Sequence, residues 1–489
     1  MSRRRRISVV LMTSAVIGSS VAIDVAPLAY ADPCTGPAAG LQPPTPVPDD
    51  GMPGQAPPIG RRPAGANDKA PLPELGKLPL AILKQVLPQQ SAKKKPGWAQ
   101  ELARPALPNP PEPGSPNNLQ DQQAAAVAPA PAPAPAVGPA AEAAVSPSTS
   151  VVGWVTGVDT GANTLQKFSI SGTDLGIMWD NGDSAGRQVL MAFGDTYGYC
   201  GMRSQQWRYN TLLRTQDKSL SRGLAVAEGS TSNPYAGSPQ SRPGYSKQVI
   251  PPIKWAAQER GIIPTAAISV GRTQYMNYMS IKSWDSAGEW TTNYSATAVS
   301  NDNGQNWKTF PQSIRPASPD AISQVPFTPG NENFQQAAYV KGNDGYIYIF
   351  GTPSGRSGSG FVSRALPGNL PDAAKHEFWN TDRGSWVPGD PNAATPIISG
   401  PVGEMSAQYN TYLKKYLVMY GDKQGDVLLS TSPAPQGPWS PPQVIVTESQ
   451  MPGGPYAPYL HPWTTGKELY FNLSLWSAYN VMLMRTTLP

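Results

Sequence analysis

The sequence predicts an all-β domain, more specifically a five-bladed β-propeller, behind a long N-terminal extension. Proline and glycine are frequent, at 56 and 47 of 489 residues, and charged residues make up only 15%. A proline costs a helix interior about 3 kcal/mol and a glycine about 1 kcal/mol, so a mainly helical protein is disfavoured. The 13 Trp and 20 Tyr favour strands. Short apolar segments of strand length recur between turn-forming residues, which is typical of repeated antiparallel hairpins.

The first 31 residues have the features of an export signal. Arg3–Arg6 form a basic region, Ile7–Ile23 is mostly apolar, and Ala29–Ala31 provides a small-x-small cleavage site. An uncut membrane anchor is the alternative, but Asp24 and Pro27 would make a poor spanning helix. We therefore expect a protein that is secreted or held in the cell envelope, with no stable membrane span after the signal is removed.

Residues 32–150 are predicted to be a disordered linker rich in proline and alanine. The segment Ala126–Pro135 alternates these two residues almost without interruption. Such a composition favours extended polyproline conformations and cannot bury enough apolar surface to offset its ordering entropy. A spacer is the simpler interpretation, and a partner-binding segment is the alternative. Cys34 lies in this extension and Cys200 in the predicted domain, so a disulfide between them is possible in an exported chain but is not established by sequence.

Five similar units follow between Val151 and Pro489. Each combines a strand, a polar turn and a strongly apolar strand; they are centred on Asp174–Asp195, Thr273–Ser300, Ala337–Gly351, Ser406–Gly421 and Pro458–Leu473. Repeated units that each contain three or four short antiparallel strands are typical of propeller blades. Ser300–Trp307 (SNDNGQNW) matches the S-x-D-x-G-x-x-W "Asp box" turn of sialidase-like propellers, a folding motif in which Asp302 is structural. A large lectin-type β-sandwich is the alternative fold and explains the repeats less well.

Composition excludes several classes of function. The formal net charge is +5, and residues 1–31 contribute +3 of it, so the remainder gives no reason to expect nucleic acid. The only histidines are His376 and His461, and there is neither an H-E-x-x-H motif nor a glycine-rich phosphate loop. Two cysteines cannot build a zinc site, and we expect no metal and no cofactor. Carboxylates and aromatic residues remain, which are the groups used in carbohydrate chemistry.

Asp174 and Asp195 are the candidate catalytic pair. If their strands form a hairpin around the polar turn at Asn181–Gly186, the two residues lie nearly opposite each other, with Cβ atoms roughly 4.5–5.5 Å apart. Two carboxyl groups that diverge from there can flank a glycosidic bond, and their repulsion would raise the pKa of one of them, as a general acid requires. The alternative is structural, because Gly194-Asp195-Thr196 falls at the same place in its unit as the turn Gly421-Asp422-Lys423.

Other candidate residues could bind a substrate. Glu404 and His461 head the fourth and fifth units and could face a central pocket, or could be satisfied structural groups. Arg356 could bind a hydroxyl-rich or anionic substrate, or could be a solvated turn residue. Three aromatic side chains could stack on sugar faces or pack between blades: Trp179, Trp476 and Tyr479.

Several short segments in this order carry a resemblance to a known family. They are Thr173–Gly176, Phe193–Thr196, Met276–Met279, Gly403–Tyr412, and Ser474–Trp476 with Tyr479–Val481. Together they make residues 151–489 resemble exported bacterial endo-D-arabinanases, glycoside hydrolases with a five-bladed propeller that were first described as a domain of unknown function.

The resemblance implies a substrate and a mechanism. It implies hydrolysis of internal α-1,5-linked D-arabinofuranose bonds in the D-arabinan of cell-wall arabinogalactan and lipoarabinomannan, through an inverting Asp pair. On this basis we expect Asp174 to be the general base and Asp195 the general acid, and we expect Glu404 and His461 to approach Asp174 at one mouth of the propeller. A non-catalytic glycan-binding propeller protein of the cell wall is the alternative, since it needs no carboxylate pair. A sialidase-like enzyme is disfavoured because no arginine cluster is evident.

Overall fold

A computed structural model of the chain describes Cys34, residues 41–43, 148–158, 162–285 and 288–489. The predicted signal peptide and nearly all of the predicted linker lie outside these residues. The described part contains one α-helix, α1 (Thr164–Phe168), and none of its helices is long and apolar enough to cross a membrane. Its 3-10 helices are single turns at Arg203–Gln206, Pro311–Ser313, Asn331–Phe334, Pro367–Asn369, Ala373–Lys375 and Pro391–Ala393.

Apart from one two-stranded sheet, the described strands form five antiparallel sheets, which we call blades 1 to 5 in the order of their innermost strands. The chain begins with β1 (Ser148–Trp154), and blade 1 follows with β2 (Gly172–Asp180), β3 (Val189–Tyr197) and β4 (Thr211–Thr215). A separate two-stranded sheet contains β5 (Gln240–Arg242) and β6 (Tyr245–Ser246). Blade 2 contains β7 (Gly261–Val270), β8 (Thr273–Trp284), β9 (Trp290–Ser300), β10 (Lys308–Thr309) and β11 (Arg315–Pro316).

The remaining three blades have the same antiparallel plan. Blade 3 contains β12 (Gln336–Lys341), β13 (Ile347–Thr352), β14 (Phe361–Ala365), β15 (Glu377–Asn380) and β16 (Ser385–Pro388). Blade 4 contains β17 (Met405–Asn410), β18 (Lys415–Gly421), β19 (Val427–Ser432) and β20 (Gln443–Val446). Blade 5 contains β21 (Pro455–Leu460), β22 (Glu468–Leu475) and β23 (Asn480–Thr487), and β1 is its outer strand.

The blades close into a ring around a central axis. The innermost strands β2, β7, β12, β17 and β21 contact one another in this order, and β21 contacts β2 again. Strand β1 closes blade 5 by pairing antiparallel with the C-terminal strand β23, from Ser148 opposite Thr487 to Trp154 opposite Met482. The predicted five-bladed propeller is confirmed, and a two-sheet sandwich does not describe this ring. The first strand begins three residues before the predicted start of the domain at Val151.

Packing between blades explains why the middle strands are apolar on both faces. In β18 every residue after Lys415 is buried, and in β22 every residue after Glu468 is buried. Their side chains meet in one cluster between blades 4 and 5, which includes Leu417, Met419 and Phe471. Each face of a middle strand is covered by a neighbouring blade, so burial of roughly 25 cal/mol per Å² of apolar surface stabilises the ring from both sides.

The Asp-box segment forms a turn after β9, as the sequence predicts. Asp302 Oδ1 accepts hydrogen bonds from the Ser300 hydroxyl at 2.8 Å and from the backbone N–H of Asn306 at 2.9 Å. Gly304 has a φ of +78°, a left-handed conformation that favours glycine. The buried Trp307 donates to the Gly304 carbonyl at 3.0 Å. Asp302 therefore shapes a turn.

Cys34 and Cys200 form a disulfide with their Cα atoms 5.3 Å apart. The sequence leaves this pairing open, and the structure establishes it. The bond ties the start of the extension to the loop that follows β3.

Candidate active site

Asp174 and Asp195 lie side by side on the first two strands of blade 1. In the ladder between β2 and β3, Thr173 pairs with Thr196 and Leu175 pairs with Phe193, so Asp174 sits in a bulge opposite Gly194 and Asp195. Leu175 has a φ of 72°, in the left-handed region that a leucine rarely adopts. A bulge of this kind redirects a side chain. The Asp174 carboxylate lies over Gly194, where a Cβ atom would overlap its Oδ1.

A neutral aromatic donor orients each carboxylate. Asp174 Oδ2 accepts a hydrogen bond of 3.0 Å from the hydroxyl of Tyr456, at the start of β21 in blade 5. Asp195 Oδ1 accepts one of 3.0 Å from the indole N–H of Trp207, in the loop between β3 and β4. Both aspartates are only 1% exposed. Neither bond brings a positive charge, so the two carboxylates are held in place without being neutralised by these donors.

The charge of Asp195 influences the pKa of Tyr209, the next aromatic residue in the β3–β4 loop. Burial raises the pKa of Tyr209 to about 12, and the charges of Asp195 and Glu259 add to this shift. The Tyr209 ring also packs edge-to-face on Trp207, with ring centres 4.7 Å apart. Asp195 is therefore enclosed by aromatic side chains on the side of the β3–β4 loop.

Arg356 and Glu404 form a buried ion pair beside Asp174. Arg356 lies in the loop between β13 and β14, and its Nε and Nη2 atoms donate to both oxygens of Glu404 at 2.8 and 2.7 Å. Its guanidinium also lies 5.0 Å from the ring centre of Tyr456 and 5.6 Å from that of Trp290. Burial alone would lower the pKa of Arg356, but the Glu404 carboxylate raises it, with a contribution from Asp174. The Arg356 side chain thus joins blades 2, 3, 4 and 5 at one mouth.

Comparison with known proteins identifies the family. A family model described as "Domain of unknown function (DUF4185)" matches residues 160–485. The chain belongs to the DUF4185 family. This match supports the resemblance found in the sequence, to a family that was first described as a domain of unknown function.

The relatives of this DUF4185 chain are distant. Notoamide biosynthesis cluster protein J' of Aspergillus versicolor is 23% identical over 332 residues, covering 64% of this chain and 83% of that protein. Among solved structures, the native arabinanase Arb43A of Bacillus subtilis is similar with 11% identity and a TM-score of 0.36, covering 64% of this chain and 96% of that one. The GH43_1 enzyme from Xanthomonas citri complexed with xylotriose is similar with 12% identity and a TM-score of 0.37, covering 66% and 92%.

The DUF4185 structure brings most of the predicted site residues together. Asp174, Asp195, Arg356 and Glu404 meet at the starts of the inner strands, and Tyr456 contacts both Asp174 and Arg356. Trp476 is half-buried at the same mouth and packs edge-to-face on Tyr456, with ring centres 5.9 Å apart. An indole at this position can contact a bound sugar.

The ring of Tyr479 cannot stack on a sugar, so the packing alternative applies to this residue. It is 0% exposed and lies between Tyr197 and Trp476, with ring centres 5.5 and 6.1 Å away. The packing alternative also applies to Trp179. It is 3% exposed, its N–H donates to Gln274 at 2.8 Å, and its ring packs on Trp307. Packing between blades 1 and 2 therefore buries Trp179.

His461 does not approach Asp174 and Glu404. It directly follows β21, whereas Tyr456 lies at the start of that strand. Five residues at about 3.3 Å each separate the two by roughly 16.5 Å along the strand. His461 is fully buried, its Nδ1 accepts from the Trp463 N–H at 3.3 Å, and burial lowers its pKa to about 4. Trp463 donates in turn to Asp180 at the end of β2, so His461 belongs to the opposite mouth.

Sequence reasoning missed four aromatic residues that surround the carboxylates: Trp207, Tyr209, Trp290 and Tyr456. For Tyr456 a signal existed, because it occupies the start of the inner strand of blade 5, as Asp174 does in blade 1. Trp207 and Tyr209 lie outside the repeated strands, and no pattern points to them. Within the described ranges, no group of three or more His, Cys, Asp or Glu side chains is arranged to hold a metal ion.

Proposed function

We propose that this protein is an endo-acting glycoside hydrolase that cleaves α-1,5-linked D-arabinofuranose bonds in cell-wall D-arabinan, the arabinan of arabinogalactan and lipoarabinomannan. The observation that carries the proposal is the juxtaposition of Asp174 and Asp195 at the mouth where Arg356, Glu404 and Trp476 also meet. Paired carboxyl groups are the machinery of glycoside hydrolysis. The family resemblance supplies the substrate.

The proposed mechanism is a single displacement with inversion. Asp174, as general base, takes a proton from a water molecule while the water oxygen attacks the anomeric carbon. The bond from that carbon to the glycosidic oxygen breaks, and Asp195, as general acid, gives its proton to the departing oxygen. This mechanism needs carboxyl groups about 6.5–9.5 Å apart, whereas a covalent, retaining mechanism needs about 5–5.5 Å.

The surroundings of Asp174 and Asp195 support their assignment as general base and general acid. The Asp174 carboxylate accepts from Tyr456 and lies in the field of Arg356, whose pKa it helps to raise. A nearby cation favours the ionised form of a carboxyl group, as a base requires. Asp195 lies among the aromatic side chains of Trp207 and Tyr209. It is assigned as the acid because Asp174 is the member of the pair that lies beside the cation.

The charge balance at the mouth suits a neutral polysaccharide. Arg356 is the cation that lies beside Asp174, and Glu404 pairs with it through two hydrogen bonds. A pair of opposite charges offers donors and acceptors to sugar hydroxyl groups without a net positive charge for an anionic sugar. This favours a furanoside chain over a sialic acid as substrate.

The proposed location is the cell envelope or the exterior. It rests on residues 1–31, which have the features of an export signal and lie outside the described part. The disulfide between Cys34 and Cys200 is consistent with it, because such bonds persist in oxidising compartments. A D-arabinan of the cell wall would be within reach there.

Incubation of the purified mature chain with D-arabinan tests the proposal. We expect a ladder of oligosaccharides early in the reaction, since an endo-acting enzyme cuts internal bonds, and no release by the Asp174→Asn/Asp195→Asn double variant. NMR of the first products, recorded before mutarotation, reports inversion or retention. A chain that binds D-arabinan without releasing oligosaccharides would overturn the hydrolase and favour the glycan-binding alternative.

A further inference from the structure

Tyr479 is fixed beside Asp174 although its ring cannot touch a sugar. Its backbone carbonyl accepts a hydrogen bond of 2.8 Å from the N–H of Thr173, the residue before Asp174. Its own N–H donates to the Leu475 carbonyl at 2.8 Å, and its backbone is left-handed, with a φ of 47°. The rings of Tyr197 and Trp476 pack edge-to-face against it. The side chain is therefore rigid, and its position is tied to that of Asp174.

The hydroxyl group of Tyr479 indicates that a hydrogen-bond partner comes from outside the described part of the chain. Tyr479 is 0% exposed, and within the described part of the chain its Oη atom has no hydrogen-bond partner. Two neighbouring tyrosines differ in this respect, since the Tyr456 hydroxyl donates to Asp174 and the Tyr459 hydroxyl donates to the Thr265 carbonyl. Buried hydroxyl groups in folded proteins are almost always hydrogen-bonded, to the protein or to ordered water.

The Tyr479 side chain packs among the residues that hold Asp174. Its ring contacts Trp476, Trp476 packs on Tyr456, and the Tyr456 hydroxyl donates to Asp174. Burial raises the pKa of Tyr479 well above its usual value, and the charges of Asp174 and Asp195 both add to the shift. The phenol is therefore protonated at neutral pH. A neutral hydroxyl that is fixed near Asp174 can orient a small molecule there without exchanging a proton with it.

We propose that the Tyr479 hydroxyl positions the water molecule that attacks the substrate, which rests on the function proposed above. The water donates one hydrogen bond to Asp174 and the other to Tyr479 Oη, so that a lone pair faces the anomeric carbon. In the reaction the water loses its first proton to Asp174 while its oxygen bonds to that carbon, and the glycosidic oxygen leaves with the proton of Asp195. Tyr479 neither gains nor loses a proton.

The Tyr479→Phe variant tests this role, because it removes only the hydroxyl group. We expect kcat on D-arabinan to fall about 10-fold or more with KM changed less than threefold, and the midpoint of thermal unfolding not to fall. Tyr348→Phe is the matched control. The Tyr348 hydroxyl donates to Asp344 at 2.6 Å in blade 3, remote from the pair, so its loss lowers the unfolding midpoint and leaves kcat unchanged. A Tyr479→Phe kcat within twofold of wild type overturns the inference.

A high-resolution crystal structure of the wild-type protein tests the same inference without activity. We expect an ordered water within about 3.2 Å of both Tyr479 Oη and an Asp174 oxygen. An Oη atom bonded instead to a protein acceptor, or with no water near it, overturns the inference. If the wild-type chain releases no oligosaccharide from D-arabinan but this water is present, the proposed substrate is wrong. The water site between Tyr479 and Asp174 is then still supported.

Discussion

Arg356 holds Glu404 through two parallel hydrogen bonds across the gap between the β13–β14 loop and the start of β17. The two side chains are only 17% and 7% exposed. A planar guanidinium and a carboxylate match each other in this bidentate geometry, which makes the bond specific as well as strong. The pair spans two blades at the mouth that contains Asp174, so it links the shape of the site to the stability of the ring.

Glu404→Gln is expected to lower the free energy of unfolding by about 3–5 kcal/mol, because it leaves the buried Arg356 without its paired carboxylate. Chemical denaturation measures this loss. Glu468→Gln is the control, since the pair that Glu468 makes with Arg485 is 3.8 Å long and about half exposed, and such surface pairs contribute about 0–1 kcal/mol. Equal losses in the two variants would show that the Arg356–Glu404 pair is not a buried interaction.

Asp174→Asn and Asp195→Asn are each expected to fold and to lose activity by about 10²–10⁴-fold, the contribution typical of a general acid or base. Both residues are buried within strands, and an asparagine is nearly isosteric and can still accept from Tyr456 or Trp207. The two losses should not add, because either half of the mechanism is ineffective alone.

Initial rates on D-arabinan, with the circular dichroism of each variant, measure these losses. Asp302→Asn is the matched control, because Asp302 shapes a turn after β9 and its replacement should affect stability but not kcat. Wild-type rates in both Asp174→Asn and Asp195→Asn would mean that these residues only shape the strands, and the glycan-binding alternative would gain.

The repeated units predicted the ring, and hairpin geometry predicted that Asp174 and Asp195 are neighbours. Both inferences depend on local pattern: alternating strands, a polar turn, and residues at matching distances from it. The bulge that turns Asp174 over Gly194 could not be predicted, because it depends on a left-handed leucine, Leu175, that no propensity favours.

The sequence placed His461 at the wrong mouth through an error of three residues. The repeat pattern of the fifth unit is recognisable from Pro458 onward, but β21 begins at Pro455. Inner strands of a propeller run in one direction, so residues at their starts share one mouth and residues at their ends share the other. Because of this shift, Tyr456 at the start of the strand was not considered a site residue. His461, which directly follows the strand, was wrongly assigned to the site.

Stability is expected to fall as the pH rises from about 4.5 to about 7 because of Glu448, which accepts from the backbone N–H groups of Gly453 and Gly454 next to Trp476. Burial raises the pKa of Glu448 from 4.5 to about 7, although the two N–H donors oppose it, and the charge of Asp426 adds to the rise. The folded state then binds more protons than the unfolded state in this window, so each rise in pH favours unfolding.

Thermal unfolding of Glu448→Gln and wild type, measured between pH 4.5 and 8, isolates this contribution. The variant cannot ionise at this position, so its unfolding midpoint should rise relative to that of wild type as the pH rises to about 7. Above about pH 7 the difference between the two midpoints should be constant. Curves that stay parallel across the window would show that Glu448 titrates normally.

Two truncations should separate the parts of the N-terminal region that the propeller needs. A chain that begins at Ser148 keeps β1 and its ladder with β23, so it should fold and hydrolyse D-arabinan at the wild-type rate, but it lacks the disulfide to Cys200 and should lose about 2–4 kcal/mol of stability. A chain that begins at Val155 lacks β1, which leaves the edge of β23 unpaired and prone to association.

Size-exclusion chromatography and chemical denaturation compare the two truncated chains with the full mature chain. The Cys34→Ser/Cys200→Ser variant of the full chain should show the same loss of stability as the chain that begins at Ser148. A chain from Val155 that is as stable and monomeric as the chain from Ser148 would show that β1 does not close the ring.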